Sequence, residues 1–229
     1  MYKRQVVKLD YRKKDLTKFF SEYNSSVNST QIIYNKAKKG DFFNLSLRPR
    51  VNTTSLSVKG PSSGFYDADF GKKSGFSFGV ESEFVFPFNK NKWALLVEFD
   101  YQKFSGTSRY AVGHVSGGEL LASIDYKYIN IPLGVRHYFY LSEKSKIFAN
   151  ISYVASATLN SSMVLRKNDG SHFKTLWVEA DANMAYGLGY KFNNKYSIEA
   201  RVYTNRSVFN DSINSLYKNA SIILGYTVF

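Results

Sequence analysis

Phe76-Ser77-Phe78-Gly79-Val80-Glu81-Ser82-Glu83-Phe84-Val85-Phe86-Pro87-Phe88 decides the fold. Phe76, Phe78, Val80, Phe84, Phe86 and Phe88 share one face, with Ser82 as the polar exception. Ser77, Gly79, Glu81, Glu83 and Val85 take the other. Period two of this kind is a β-strand signature. The run is also long. A tilted membrane-spanning strand needs ~9–11 residues, whereas common strands have ~5–6.

The same alternation recurs on either side. Trp93, Leu95, Val97, Phe99 and Tyr101 oppose Glu98, Asp100 and Gln102. The other predicted strands are Asn44–Val58, Tyr126–Tyr140, Ile147–Leu159, Leu176–Phe192, Tyr196–Asn205 and a last one through Ile222, Leu224, Tyr226 and Val228, which makes eight in all. Short turns join them at Asn89–Lys92, Ser142–Lys146 and Asn193–Lys195. Longer polar loops lie near 59–73, 105–120, 160–173 and 207–216. Strict short/long alternation is the pattern of an up-and-down membrane barrel, with tight periplasmic turns and long outer loops. The expected fold is therefore all-β, an eight-stranded antiparallel up-and-down transmembrane β-barrel with a short N-terminal helical segment. Both chain ends are expected on the periplasmic side.

Two features favour a membrane barrel over a soluble, lipocalin-like one, whose apolar face would point inward. The polar faces mix charge with Gly79, Gly134, Gly187, Gly189 and Gly225, as a crowded lumen needs. Aromatics gather at the short-turn end, and Phe86, Phe88, Trp93, Tyr138, Phe139, Tyr190, Phe192 and Tyr196 are expected to form an interfacial girdle. An eight-stranded barrel is just wide enough inside for side chains to fill it. Glu81, Glu83, Glu98, Asp100, Glu179, Asp181 and Glu199 would there face Arg48, Arg50, Arg136, Lys191 and Arg201. Mixed signs can pair where one sign alone would be prohibitive, so a plugged lumen is expected.

Composition agrees. The chain has 229 residues, 18 Tyr and 19 Phe, and such an aromatic load suits pleated surfaces. With no Cys there is no disulfide scaffold and no thiolate metal site. The net charge is +13, of which residues 1–40 supply +7 through Lys3, Arg4, Lys8, Arg12, Lys13, Lys14, Lys18, Lys36, Lys38 and Lys39 against Asp10, Asp15 and Glu22. No nucleic-acid-binding motif accompanies that charge, so nucleic acid is not expected as a partner. Leu16, Phe19, Phe20 and Tyr23 recur at helical spacing within 11–23, and residues 1–41 form a separate basic segment ahead of a barrel at 42–229. There is no apolar run long enough for a membrane helix and no signal peptide. An exported barrel carries such a leader, so the natural protein is expected to extend upstream.

Chemistry is sparse. His114 and His172 fall in predicted outer loops, and His137 sits on the apolar phase near a rim. Ser171-His172 is the one arrangement that could serve a lipid-modifying hydrolase, but no third partner is fixed by spacing. No cofactor is implied and no phosphate-loop, dinucleotide or metalloprotease motif occurs. Lys59, Lys72, Lys73, Arg109, Arg166, Lys167 and Lys174 lie in or beside outer loops. Lys72, Lys73, Arg109, Arg166 and Lys167 are candidate contacts for lipopolysaccharide phosphates.

Tyr128-Ile129-Asn130-Ile131-Pro132-Leu133-Gly134-Val135-Arg136-His137-Tyr138-Phe139 resembles the central strand of Bacteroidota outer-membrane barrels, the PorT-like or OmpA-like outer membrane protein β-barrel domain. Tyr196–Tyr203 and the terminal Ile223–Phe229 fit the same family. Phe229 resembles the terminal Phe that the insertion machinery reads, although Thr227 and Gly225 share its phase. Tyr11 to Asn24 resembles the tail of a periplasmic domain found before such barrels. The resemblance implies an outer-membrane location, contact with outer-membrane lipids, insertion by the barrel-assembly machinery, a structural, adhesion or assembly role, and a link to type IX secretion.

Overall fold

The computed structural model describes residues 12–27, 42–60, 67–113, 115–209 and 213–229. Lys3, Arg4, Lys8, Lys36, Lys38, Lys39 and His114 lie outside them. Contacts divide the chain into two compact units, Met1–Gly40 and Asp41–Phe229. In the first, helix α1 spans Lys13–Ser26 and carries an i,i+4 pair, Lys18–Glu22, at 3.9 Å.

The second unit is built from ten strands: β1 (Phe43–Lys59), β2 (Ala68–Val85), β3 (Trp93–Ala111), β4 (Glu119–Tyr140), β5 (Ser145–Thr158), β6 (Ser162–Lys167), β7 (His172–Trp177), β8 (Asn183–Phe192), β9 (Tyr196–Tyr203) and β10 (Asn214–Thr227). Eight of them close an antiparallel ring in the order β1-β2-β3-β4-β5-β8-β9-β10, with β10 pairing back onto β1. The β6–β7 hairpin stays outside the ring and pairs with the distal part of β4. At the level of the apolar band, closure leaves no edge within the ring. A lipid-embedded sheet must be closed, because hydrocarbon offers backbone groups no partner.

Tight turns close the short-turn end. Asn193 and Asn194 adopt φ of 51° and 54°, and the Lys195 N–H bonds the Phe192 carbonyl at 3.0 Å. Asn tolerates this left-handed geometry, and its twist matches that of the flanking strands.

Which face is which is now plain. Leu45, Leu47 and Val51 on β1, Trp93 to Tyr101 on β3, Ile129 to Phe139 on β4 and Ile222 to Tyr226 on β10 point outward on alternate residues, and Phe76 is 88% exposed. Trp93–Tyr101 is nine residues. Nine tilted residues rise roughly 23 Å, close to the ~25 Å apolar band of membrane barrels. The chain is thus an all-β, eight-stranded transmembrane barrel, and the inward-facing alternative fails.

Beyond this band the alternation inverts. On β3 the apolar phase passes from Tyr101, outward, to Phe104, inward. On β4 it passes from Ile129, outward, to Tyr128, Tyr126, Ile124, Ala122 and Leu120, all buried inward. Here Lys103, Thr107, Arg109, Asp125 and Lys127 face out. The distal strands therefore have the polarity of a water-soluble sheet. They enclose a core that includes Leu56, Phe70, Phe104, Met163, Leu165 and Tyr217.

The inversion corrects several expectations. The predicted loop at 105–120 is mostly strand, since β3 and β4 run on to the pair Ala111↔Glu119. The region 160–173 holds β6 and the start of β7, and β2 starts at Ala68, within the predicted 59–73 loop. Leu176–Phe192 is not one strand. β7 ends at Trp177 and β8 begins at Asn183, while Val178 drops into the distal core. Glu179 and Asp181, on the crossing segment, are exposed and stand outside the lumen. Their backbone N–H groups bond the carbonyls of Val208 and Ser207 instead.

One wall joint is incomplete. β2 and β3 pair only from Phe78↔Tyr101 to Val85↔Ala94. Beyond that each strand stays paired on its other side, β2 with β1 to Ala68 and β3 with β4 to Ala111. A bulge shifts the β1–β2 register between Ser55 and Ser57, and Gly71 beside it has φ of 66°, a backbone state that costs Gly least.

Candidate functional site

The inward phase of the membrane-level strands assembles one charged network. β1 supplies Arg48 and Arg50, β2 Glu81 and Glu83, β3 Glu98 and Asp100, β4 Arg136, β8 Lys191, and β9 Glu199 and Arg201. All are buried. Arg136 grips Glu81 with two parallel bonds of 3.0 and 2.9 Å and reaches Glu83 at 3.3 Å. Lys191 meets Glu83 at 3.2 Å. Arg201 bonds Glu98 and Glu199, both at 2.7 Å. Arg48 pairs with Glu199 and lies 3.6 Å from Glu81. Arg50 pairs with Glu98 and lies 3.4 Å from Asp100. Five carboxylates thus pair with five cations within this network. Arg suits this task because its planar fork pairs bidentately and stays charged.

Of the lumen residues expected from sequence, the structure brings together all but Glu179 and Asp181. It adds Lys146, buried on β5 with its ammonium 3.9 Å from the Tyr138 ring centroid. Its signal was the phase shared with Phe148 and Asn150, one residue before the predicted strand start. Tyr138 is a correction. It points inward, fully buried, and its hydroxyl donates to Glu83. The other expected girdle aromatics, Phe86, Phe88, Trp93, Phe139, Tyr190, Phe192 and Tyr196, lie outside the lumen at the short-turn end. Trp93 packs on His137 with centroids 4.5 Å apart, and His137 packs on Phe139 at 4.6 Å.

Glycine makes room inside. A Cβ at Gly134 would sit 2.1 Å from the Ser152 hydroxyl and 2.5 Å from the Ile151 carbonyl oxygen. The second obstacle is backbone and cannot rotate away. Gly134→Val is therefore expected to destabilise the barrel by about 1–3 kcal/mol, read as a lower denaturant midpoint for unfolding from lipid vesicles. An unchanged midpoint would show that β4 and β5 separate freely here.

Above the charges sits a tyrosine layer. Arg206 is buried with its guanidinium 4.6 Å from the Tyr128 ring centroid and 5.2 Å from that of Tyr217, and it donates to Asn130 and to the Tyr126 hydroxyl. Tyr128 and Tyr217 share a hydroxyl–hydroxyl bond of 2.8 Å. The distal core closes over this layer, so the lumen is filled from the charged network to the apolar cap.

The surface candidates divide into two places. Arg109, Arg166 and Lys167 line one shallow cavity of about 80 Å³ on the outer sheet. Arg109 there pairs with Glu119 at 3.6 Å, and Arg166 donates to the Gly170 carbonyl. Lys72 and Lys73 lie apart from them, on β2 beside the incomplete joint. The Ser171-His172 pair does not form. The hydroxyl and N–H of Ser171 both serve Asp169, holding its carboxyl below the usual range, while the His172 Nε2 sits 2.9 Å from the Thr175 hydroxyl. Among the described residues no group of acidic and His side chains is placed to hold a metal.

No protein-family model matches the sequence. No curated protein matches it either. Solved structures do. The chain is similar to Ail, the attachment invasion locus protein of Yersinia pestis, with 14% identity over 80% of this chain and 98% of that one, at a TM-score of 0.38. It is similar to the outer membrane protein OprG from Pseudomonas aeruginosa, with 12% identity over 80% and 95%, at 0.46. Neisserial surface protein A shares 10% identity over 78% and 96%, at 0.37.

Proposed function

We propose that the chain is a non-enzymatic outer-membrane barrel. Its plugged lumen makes it a rigid anchor, and its distal sheet carries a structural, adhesion or assembly role at the cell surface. The carrying observation is the packed interior: an ion-paired network topped by a tyrosine layer and an apolar cap. Among the described residues, side chains pack the interior at these levels, which supports an anchor over a channel. In this arrangement the short-turn end faces the periplasm, the outward aromatics sit at its interface, and the barrel-assembly machinery performs insertion. Lys72, Lys73, Arg109, Arg166 and Lys167 then stand at the level of lipopolysaccharide phosphates, which Arg and Lys suit chemically. The Tyr128–Phe139 stretch supports a place among PorT-like barrels of Bacteroidota, and with it a role beside type IX secretion.

Two measurements test this. Refolded into lipid vesicles, the chain should resist SDS until boiled and change gel mobility on boiling. In planar bilayers the same preparation should insert without stepwise conductance. A folded protein in plain buffer with no mobility shift would remove the membrane barrel. Reproducible conductance steps would remove the plugged anchor.

A further inference from the structure

The incomplete joint between β2 and β3 encloses a cavity of about 260 Å³ whose lining includes Asn52, Thr54, Lys73, Gly75, Gln102 and Lys103. Above it the Phe70 ring packs on Gly106, where a Cβ would lie 3.3 Å away, so the ring sits between the two unpaired strand segments. Below it the outward residues are Phe76, Phe78, Phe99 and Tyr101, all exposed at the top of the apolar band. The cavity therefore opens sideways, at the height where hydrocarbon gives way to headgroups.

Its chemistry is directional. No carboxylate lines it, and it holds two cations. Lys73 has no ion-pair partner among the described residues, and Lys103 reaches only the half-exposed Asp125 at 3.5 Å. The neutral polar groups are fixed from behind. Gln102 donates to Asp100 at 2.6 Å and accepts from Tyr128 and Asn219. Asn52 donates to Ser77 and accepts from Ser221, both at 2.6 Å. Beyond Phe78↔Tyr101 no ladder pairing joins the two strands among the described residues, so facing backbone groups add further donors and acceptors. The volume lies just under the ~300–1,000 Å³ of ordinary small-molecule sites, which is room for one headgroup and not for acyl chains.

We infer that this split is a lateral cleft for the phosphorylated sugar headgroup of an outer-leaflet lipid, whose acyl chains lie along Phe76, Phe78, Phe99 and Tyr101. The inference rests on the membrane-barrel reading above and names a site within it. Lys73 and Lys103 take the phosphate, and Asn52, Thr54 and Gln102 bond the hydroxyls.

Native mass spectrometry of the full chain in detergent micelles tests it, with bisphosphorylated lipid A as probe. The wild type should retain one lipid. A Cβ at Gly75 meets nothing nearer than the Lys103 carbonyl oxygen at 4.0 Å, so Gly75→Leu can fill the cleft without strain. That variant and the Lys73→Gln/Lys103→Gln pair should each weaken retention at least about tenfold, the size of losing one charge-assisted contact. The Lys90→Gln/Lys144→Gln pair, exposed in turns at the opposite end of the barrel, should leave it unchanged. Retention that ignores the cleft variants, or that is equal for dephosphorylated lipid A, overturns the proposal. So does displacement by inorganic phosphate, which would assign the cleft to the free ion. Heat-modifiability is run on every variant. A barrel that shifts on boiling yet binds no lipid A sinks the cleft alone, and loss of the wild-type shift sinks the barrel reading with it.

Discussion

Glu199→Ala should lower the unfolding free energy in lipid vesicles by about 3–5 kcal/mol, the cost of removing one partner from a buried ion pair. Glu199 is fully buried. Its oxygens take Arg48, the Arg201 Nε at 2.7 Å, the Asn150 amide at 3.1 Å and, at 3.6 Å, Arg136. Three buried guanidinium groups would lose a counter-charge, and the balance of the lumen would shift by one positive charge. The exposed pair Lys103–Asp125, at 3.5 Å, gives the contrast: Lys103→Gln should cost no more than about 1 kcal/mol. Removing Arg201 together with Glu199 should cost less than the two single losses added, because each leaves the other's partner stranded. Additive costs, or a Glu199→Ala cost under ~1 kcal/mol, would mean that water reaches the network and solvates it.

The second large effect is on the outer surface. Leu133 lies midway along the outward run from Ile129 to Phe139 and is 51% exposed. Leu133→Arg should destabilise the barrel by about 2–4 kcal/mol, as a cation at the bilayer midplane does. Thr107→Arg, on β3 beyond the polarity inversion, should stay within about 0.5 kcal/mol. Both are outward strand residues, so propensity and packing are similar and the surrounding solvent differs. Unfolding titrations from vesicles measure the pair. Equal costs would place the bilayer edge elsewhere.

The membrane-level barrel was legible because its rule is uniform there: lipid outside, charge inside, period two throughout. The same rule hid the distal part. Phe104 and the even-numbered residues Leu120 to Tyr128 break phase with Tyr101 and Ile129, and a broken phase resembles a loop. It is instead the trace of a solvent change along unbroken strands. Tyr138 could have been placed from sequence, since adjacent residues on a strand cannot share a face and Tyr138 follows the phase of Arg136. Glu179 and Asp181 could not. Val178, Ala180, Ala182 and Met184 alternate without a Gly or Pro to mark the break. Nor could the split between β2 and β3, which depends on the Gly71 bulge and on Phe70 seated against Gly106. Those are contacts between segments far apart along the chain, and no local pattern records them.

The ring is joined through its two outermost strands. Ser46 on β1 and Thr227 on β10 bond hydroxyl to hydroxyl at 2.9 Å across 181 residues of sequence. Every other neighbour in the ring is met sooner along the chain. Folding therefore has a last step that no local hairpin can supply, and closing so long a loop is entropically slow. Until it happens, β1 and β10 are both open edges, which hydrocarbon does not tolerate. Insertion and closure must then proceed together, with the rate set by how soon the first strand finds the last.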